Sequence, residues 1–167
     1  TGYYVPIPED ADMRKAILES LTPFFENEAI EKVGQNLKYD LKVMQQHGIS
    51  VKGKLFDTML AHYIINPDMR HNMDVLAETY LGYHPKPITD LIGKKGKNQG
   101  SMRNVPIDQQ TEYAAEDADI TWQLKEHFEK ELGKNEQRAL LDKVELPLVR
   151  VLAAMELAGI SIDVPYL

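Results

Sequence analysis

Strand-like and helix-like segments alternate over the first 82 residues, and no other feature limits the fold as much. GYYVPI at residues 2–7 reads as a short strand, with Pro6 near its end as at a sheet edge. Asp10 or Asp12 can cap a helix running to about Asn27, with Ile17, Leu18, Leu21, Phe24 and Phe25 at helical spacing. Lys32–Gly34 is a brief strand-like step, and Asn36 is a good N-cap for a helix from Leu37 to His47. Residues 51–56 are strand-like again, after which Asp57 caps TMLAHYII. Asn72 or Asp74 opens another helix, MDVLAETYL, which Gly82 stops. Such alternation predicts an α/β domain with a sheet at its centre.

The second half is different. GKKGKNQGSMRN at residues 93–104 has no periodicity and reads as a mobile basic loop. From Lys86 to Arg103 it carries Lys86, Lys94, Lys95, Lys97 and Arg103 against Asp90 alone. A solvated loop is the ordinary reading of such a run. Contact with a nucleic-acid backbone is the sharper one. Residues 106–132 then read as a long helix broken by Gly133. A second spans Asn135 to Leu157, with Leu140, Leu141, Val144, Leu148, Val151, Leu152 and Met155 on one side. Pro147 should kink it and Gly159 should end it.

Bulk properties narrow the function. At 167 residues, 43% hydrophobic and 27% charged, the chain is long enough for one domain with a real core. It has no cysteine, so disulfide and thiolate chemistry are excluded, and no apolar run approaches the roughly 18 residues of a membrane span. It starts at Thr1 without methionine or a leader, which reads as a piece of something longer. A net charge of −7 argues against coating duplex DNA. It leaves room for a small site that grips one strand end through metal ions.

Two spaced pairs carry the chemistry. Asn36 and Asp40 stand four apart in VGQNLKYDLKVM, and Tyr113 and Asp117 four apart in QTEYAAEDADITWQL. Residues at i and i+4 share a helix face, so each helix offers one acid with a polar neighbour a turn earlier. Two-metal phosphodiester cleavage needs carboxylates from separate segments around ions about 3.5–4 Å apart. Asp40 and Asp117 suit the metal-ligand role and Tyr113 can orient the attacking water. Each has a plainer explanation too: Asp40 favours the N-terminal end of a helix dipole, and Tyr113 packs as a half-buried residue. Asp57 is an N-cap, Arg70 and His71 lie in a solvated turn, His62 packs on its helix, His47 sits at a helix end and Trp122 belongs to the core. No two histidines have zinc-site spacing.

VGQNLKYDLKVMQQHGI, FDTMLAHYIIN, RHNMDVLAETYLG, GKKGKNQ and EYAAEDADITWQL, in this order and spacing, resemble the 3′→5′ proofreading exonuclease domain of bacterial family A DNA polymerases. The tail VELPLVRVLAAMELAGISID is similar to the segment leading from that domain to the polymerase thumb. The resemblance implies a ribonuclease H-like exonuclease fold with a central mixed sheet and flanking helices. It divides the chain into an exonuclease domain over residues 1–133 and a connection over residues 134–167. Asp40 and Asp117 would hold Mg2+ or Mn2+, two ions in the intact family, with Asp40 acting partly through water. Asn36 would cap its helix and touch the strand, and Arg70, Lys95 and Lys97 would bind substrate.

The implied substrate is a frayed, single-stranded 3′ end of DNA, releasing a nucleoside monophosphate. The implied partner is the polymerase domain of the same parent chain, and the implied location is the bacterial cytoplasm, at the nucleoid. One departure matters. The family's first motif, an Asp-x-Glu on the opening strand, is absent from this sequence, and Asp10 and Asp12 read as helix caps instead. The opening strands are expected to be missing, the sheet edge to invite self-association, and the fragment to be inactive alone. A non-catalytic structural or DNA-binding module is therefore the alternative to an enzyme.

Overall fold

A computed structural model describes residues 1–134 and 137–166. Its sheet, among the described residues, is two short parallel strands, β1 (Lys32–Gly34) and β2 (Leu55–Asp57), paired Lys32 to Leu55, Val33 to Phe56 and Gly34 to Asp57. Parallel strands need a crossover, and α2 (Leu37–Gln46) supplies it, so β1–α2–β2 is a βαβ unit. The parallel pair replaces the expected mixed sheet because GYYVPI does not pair. That segment is irregular and runs against the helix that carries Tyr113. Gly2 lies so close to Ala115 that an added Cβ would come within 2.9 Å of its side chain, and the Tyr4 hydroxyl donates to Gln110 at 2.7 Å.

α1 (Ala11–Phe25) starts at Asp10, whose carboxylate accepts the Met13 amide at 2.8 Å; this decides between the two candidate caps. α3 (Thr58–Ile65) follows β2. α4 (Met73–Leu76) runs into a π-helical turn over Ala77–Leu81 that Gly82 ends. α5 (Thr89–Ile92) and a 3₁₀ turn (Met102–Asn104) bracket the basic loop. α6 (Ile107–Lys134) is the backbone of the domain. Its buried Ile120, Leu124, Phe128 and Leu132 recur at helical spacing and pack on Phe56, Leu76 and Leu141. Burying each such side chain stabilises the fold by about 1.5–3 kcal/mol. Gly133 does not break α6, which runs one residue past it.

The expected start of the last helix at Asn135 lies outside the described residues. α7 (Arg138–Leu140), a π turn (Leu141–Glu145) and α8 (Leu146–Ala158) follow one another. A π turn stands immediately before α8, and Pro147 sits in the first turn of that helix, a position proline tolerates. The extra residue rotates the buried face. Leu146, Val149 and Ala153 point inward, whereas Leu148, Val151, Leu152 and Met155 of the apolar side are exposed along with Leu140 and Val144. Polar tethers hold α8 in place. Glu156 receives Lys38 and Lys42 of α2 at 2.6 Å each, and those two ammonium groups hold its carboxyl down at about 2. Arg150 donates to the carbonyls of Val51 and Gly53.

His62 is packed as expected, but into a polar pocket. The ring is fully buried and its two nitrogens reach His71 and Tyr80. His71 therefore turns inward rather than lying in a solvated turn. Trp122 is the opposite case: 51% of it is exposed, with the Lys125 ammonium 5.1 Å from its ring centre. It stands one position past the buried stripe of α6 and so misses the core.

Candidate active site

The end of α1, the open edge of β1, α2 and α6 enclose a groove of about 690 Å³. Its walls are largely apolar: Phe25, Val33, Met44 and Trp122 among others. Three carboxylates line it: Asp40 from the first turn of α2, Asp117 from the middle of α6, and Glu31 just before β1, which is ion-paired with Lys125 at 3.4 Å. The βαβ crossover places the first and the long helix places the second, so acids 77 positions apart in the sequence face one space.

Asp40 and Asp117 are both electrostatically uncompensated. Burial pushes Asp117 up to about 6; the neighbouring Glu116 charge adds to the rise, and the Tyr113 phenol one turn earlier pulls part of it back. Tyr113 is raised in turn, first by burial and then by the charges of Asp117 and Asp74. Asp40 stands at the groove wall with its side chain open to solvent. The protein around it still excludes enough water to raise it, with the Asp57 charge adding and its own backbone amide subtracting. Among the described residues neither Asp40 nor Asp117 is ion-paired. Two unpaired carboxylates in a half-buried groove suit a hard divalent cation, which prefers oxygen donors and completes its shell with water or phosphate. No group of three or more Asp, Glu or His side chains is gathered as a metal cage among the described residues.

The remaining expected residues are dispersed. Asn36 does precede α2, but it is left-handed (φ 62°, ψ 49°) and its side chain makes no cap hydrogen bond. It lines a separate crevice between α2 and α8, with Lys38 and Leu148, rather than the groove holding Asp40. The i,i+4 spacing predicts a shared face only for residues inside a helix, and Asn36 is outside it. Arg70, Lys95 and Lys97 are exposed on their loops and do not line the groove. Tyr113 is half-buried beside Asp117.

Two residues near the site carry more than their sequence context indicated. Asp57 was expected to cap α3 and does, accepting from Met59 at 2.9 Å and Leu60 at 3.3 Å. It also accepts the amides of Asn36 at 3.1 Å and Leu37 at 2.7 Å, and so caps α2 as well. Gln35 lines the groove, donates to the His71 carbonyl at 2.7 Å and accepts from the Thr58 hydroxyl. Neither bond has a signal in the sequence, since each joins segments more than 20 residues apart.

Comparison with known proteins identifies the family. The family model described as 3′-5′ exonuclease matches residues 1–133. DNA polymerase I of Pseudomonas aeruginosa is 38% identical over 164 residues, covering 96% of this chain and 18% of that protein. DNA polymerase I of Chloroflexus aurantiacus is 38% identical, covering 100% and 18%, and that of Borreliella burgdorferi 32% identical, covering 99% and 18%. A solved structure of the POL domain of Pol1 from M. smegmatis, in complex with DNA primer-template and dNTP, superposes with a TM-score of 0.71 at 25% identity, covering 87% of this chain and 22% of that one. The chain thus spans about a fifth of the length of these relatives. An α/β domain whose residues 1–133 match from end to end belongs to the 3′-5′ exonuclease family, the hydrolases that shorten a nucleic-acid strand from its 3′ end.

Proposed function

We propose that residues 1–133 form the proofreading module of a DNA polymerase and hydrolyse the last phosphodiester of a single-stranded or frayed 3′ end, releasing a nucleoside monophosphate. The observation that carries this reading is the convergence of Asp40 and Asp117, from separate helices and without cationic partners, on one groove. Asp117 and Asp40 would hold Mg2+ or Mn2+, in a two-ion arrangement when the ligand set is complete, with Asp40 acting partly through water. Such ions supply charge neutralisation on the phosphate and a more acidic water. Tyr113 orients the attacking water beside Asp117. Asn36, at the start of α2 but outside the groove, would contact the strand only beyond the acids, and Arg70, Lys95 and Lys97 would attract its phosphates from their exposed loops.

The fold is read as ribonuclease H-like. Residues 134–167 are read as the connection toward the polymerase domain of the same parent chain, and the exposed apolar face of α8 is the surface that domain would cover. No helix among the described residues is long and apolar enough to cross a membrane, and the bacterial cytoplasm is the proposed setting.

A second reading has its own support. With only two unpaired carboxylates in the groove and no group of three gathered around one point among the described residues, the segment alone is expected to hold metal weakly and cleave slowly or not at all, as a structural module would. Release of mononucleotide from a labelled single-stranded oligonucleotide, with Mg2+ or Mn2+, separates the two. Activity that disappears in Asp117→Ala supports hydrolysis at this groove; no activity in either protein favours the structural module.

A further inference from the structure

Asp57 sits at the end of β2, 1% exposed, with no cation beside it. Burial pushes its carboxyl up, and four backbone amides pull it back. Those amides belong to two different helices. One oxygen, Oδ1, accepts from Asn36, Met59 and Leu60, whereas Oδ2 accepts from Leu37 alone. The first amides of a helix have no partner within it and must find one elsewhere. Here α2 takes its partner from the far side of the βαβ crossover, because Asn36, which occupies the N-cap position, has turned left-handed and withdrawn its side chain. Asn36 is the only non-glycine residue at positive φ among the described residues. That conformation is disfavoured for a residue with a side chain, least so for Asn, and neighbours hold it here. The Asn36 and Leu37 amides, both pinned on Asp57, are the restraint. Asp40 follows one turn later on the same short helix.

We infer that Asp57 is a positioning residue for the site: its carboxylate fixes the first turn of α2 against β2 and thereby aims Asp40 into the groove opposite Asp117. The inference rests on the metal-binding reading of Asp40 and Asp117. Asp57 itself touches neither metal nor strand; it lines the crevice on the other side of α2.

Two substitutions dissect the double cap. Asp57→Asn keeps one acceptor oxygen, which can serve Met59, Leu60 and Asn36, but presents an N–H₂ group to the Leu37 amide, donor against donor. Asp57→Ser keeps an acceptor within reach of α3 only. Amide hydrogen exchange by NMR, well below the melting temperature, should show faster exchange at Leu37, Tyr39 and Asp40 in both variants while α3 stays protected. Titration with Mn2+ alone should show weaker binding at Asp40 by about tenfold, the scale of losing a group that orients a metal ligand. Both variants also remove the Asp57 charge that acts on Asp40, so the Mn2+ loss counts only together with faster exchange at Leu37 and Asp40; a purely structural residue would lower the melting temperature and leave that low-temperature exchange unchanged. Wild-type exchange at Leu37 and Asp40 in both variants, or Mn2+ affinity within about twofold of wild type despite fast exchange, would overturn the inference. If wild-type chain shows no Mn2+ effect at Asp40 or Asp117, the metal-binding reading fails instead, and the exchange rates alone decide whether Asp57 orients Asp40.

Discussion

The Nδ1 atoms of His62 and His71 lie 2.7 Å apart, so one ring must donate and the other accept. Nε2 of His62 faces the Tyr80 hydroxyl at 2.9 Å, and Phe128 covers the ring. The His62 ring is buried without a carboxylate beside it among the described residues, which favours the neutral form. Burial, then the proximity of His71, lowers it from 6.5 to about 4. A group whose folded value is depressed leaves the unfolded chain binding more protons in between. Its stabilising share is complete above about pH 6.5 and is lost as the pH falls toward 4. Urea denaturation at pH 7 and pH 4.5 should show this loss, up to about 3 kcal/mol, and His62→Gln should reduce it.

Asp117 pulls the opposite way across the same interval. Its folded value, about 6, lies above the ordinary 3.8 of an aspartate, so the native state binds the extra proton. Ionising it in the groove costs stability above pH 6, and the cost fades toward pH 4. Asp117→Asn should therefore stabilise the metal-free chain at pH 8, by about 1 kcal/mol after allowing for solvent screening of a half-exposed group, and should make no difference near pH 4. Mn2+ should stabilise the wild type at pH 8 and progressively less below pH 6. A variant no more stable than wild type at pH 8 would refute the uncompensated charge.

Gly53 occupies a place no side chain fits. Its φ is +81°, and a Cβ would stand 2.7 Å from the Glu28 carbonyl oxygen and 2.9 Å from that of Ile30. These are backbone atoms that cannot swing aside. Gly53→Ala should cost about 2–4 kcal/mol in thermal or urea unfolding. Gly82→Ala is the control: it has a similar φ of +63° with nothing within 4 Å, so only the left-handed penalty of about 1 kcal/mol remains.

Two aromatic residues of α6 should respond very differently to truncation. Phe128 is fully buried against His62 and Tyr80, and Phe128→Ala should cost about 3–5 kcal/mol by leaving a cavity. Trp122 is half exposed on the groove, so Trp122→Ala should cost under about 1 kcal/mol. Calorimetric midpoints of the two variants give the comparison directly, and equal losses would place Trp122 in the core after all.

Local rules in the sequence settled most of the elements. An aspartate at 10 or 12 caps α1 (the structure selects Asp10), Lys32–Gly34 is a strand, Asp57 caps α3 and Gly82 and Gly159 end helices, because each outcome depends on a few neighbouring residues. The order of motifs likewise sufficed to recognise the exonuclease family. Only the tertiary structure decided which faces are buried and what the site residues touch. The π turn before Pro147 rotates α8 and exposes Leu148, Val151, Leu152 and Met155, which no count of apolar spacing foresees. GYYVPI has the composition of a strand, yet it packs on α6, where Gly2 meets Ala115 and Tyr4 meets Gln110. Asp40 and Asp117 share a groove because a βαβ crossover and a 28-residue helix converge there. Asp57 joins α2 to α3 because folding brings Leu37 within 2.7 Å of a carboxylate 20 residues away. Capping and periodicity act over one or two turns and can be read along the chain; burial, pairing and charge depend on what folding brings alongside.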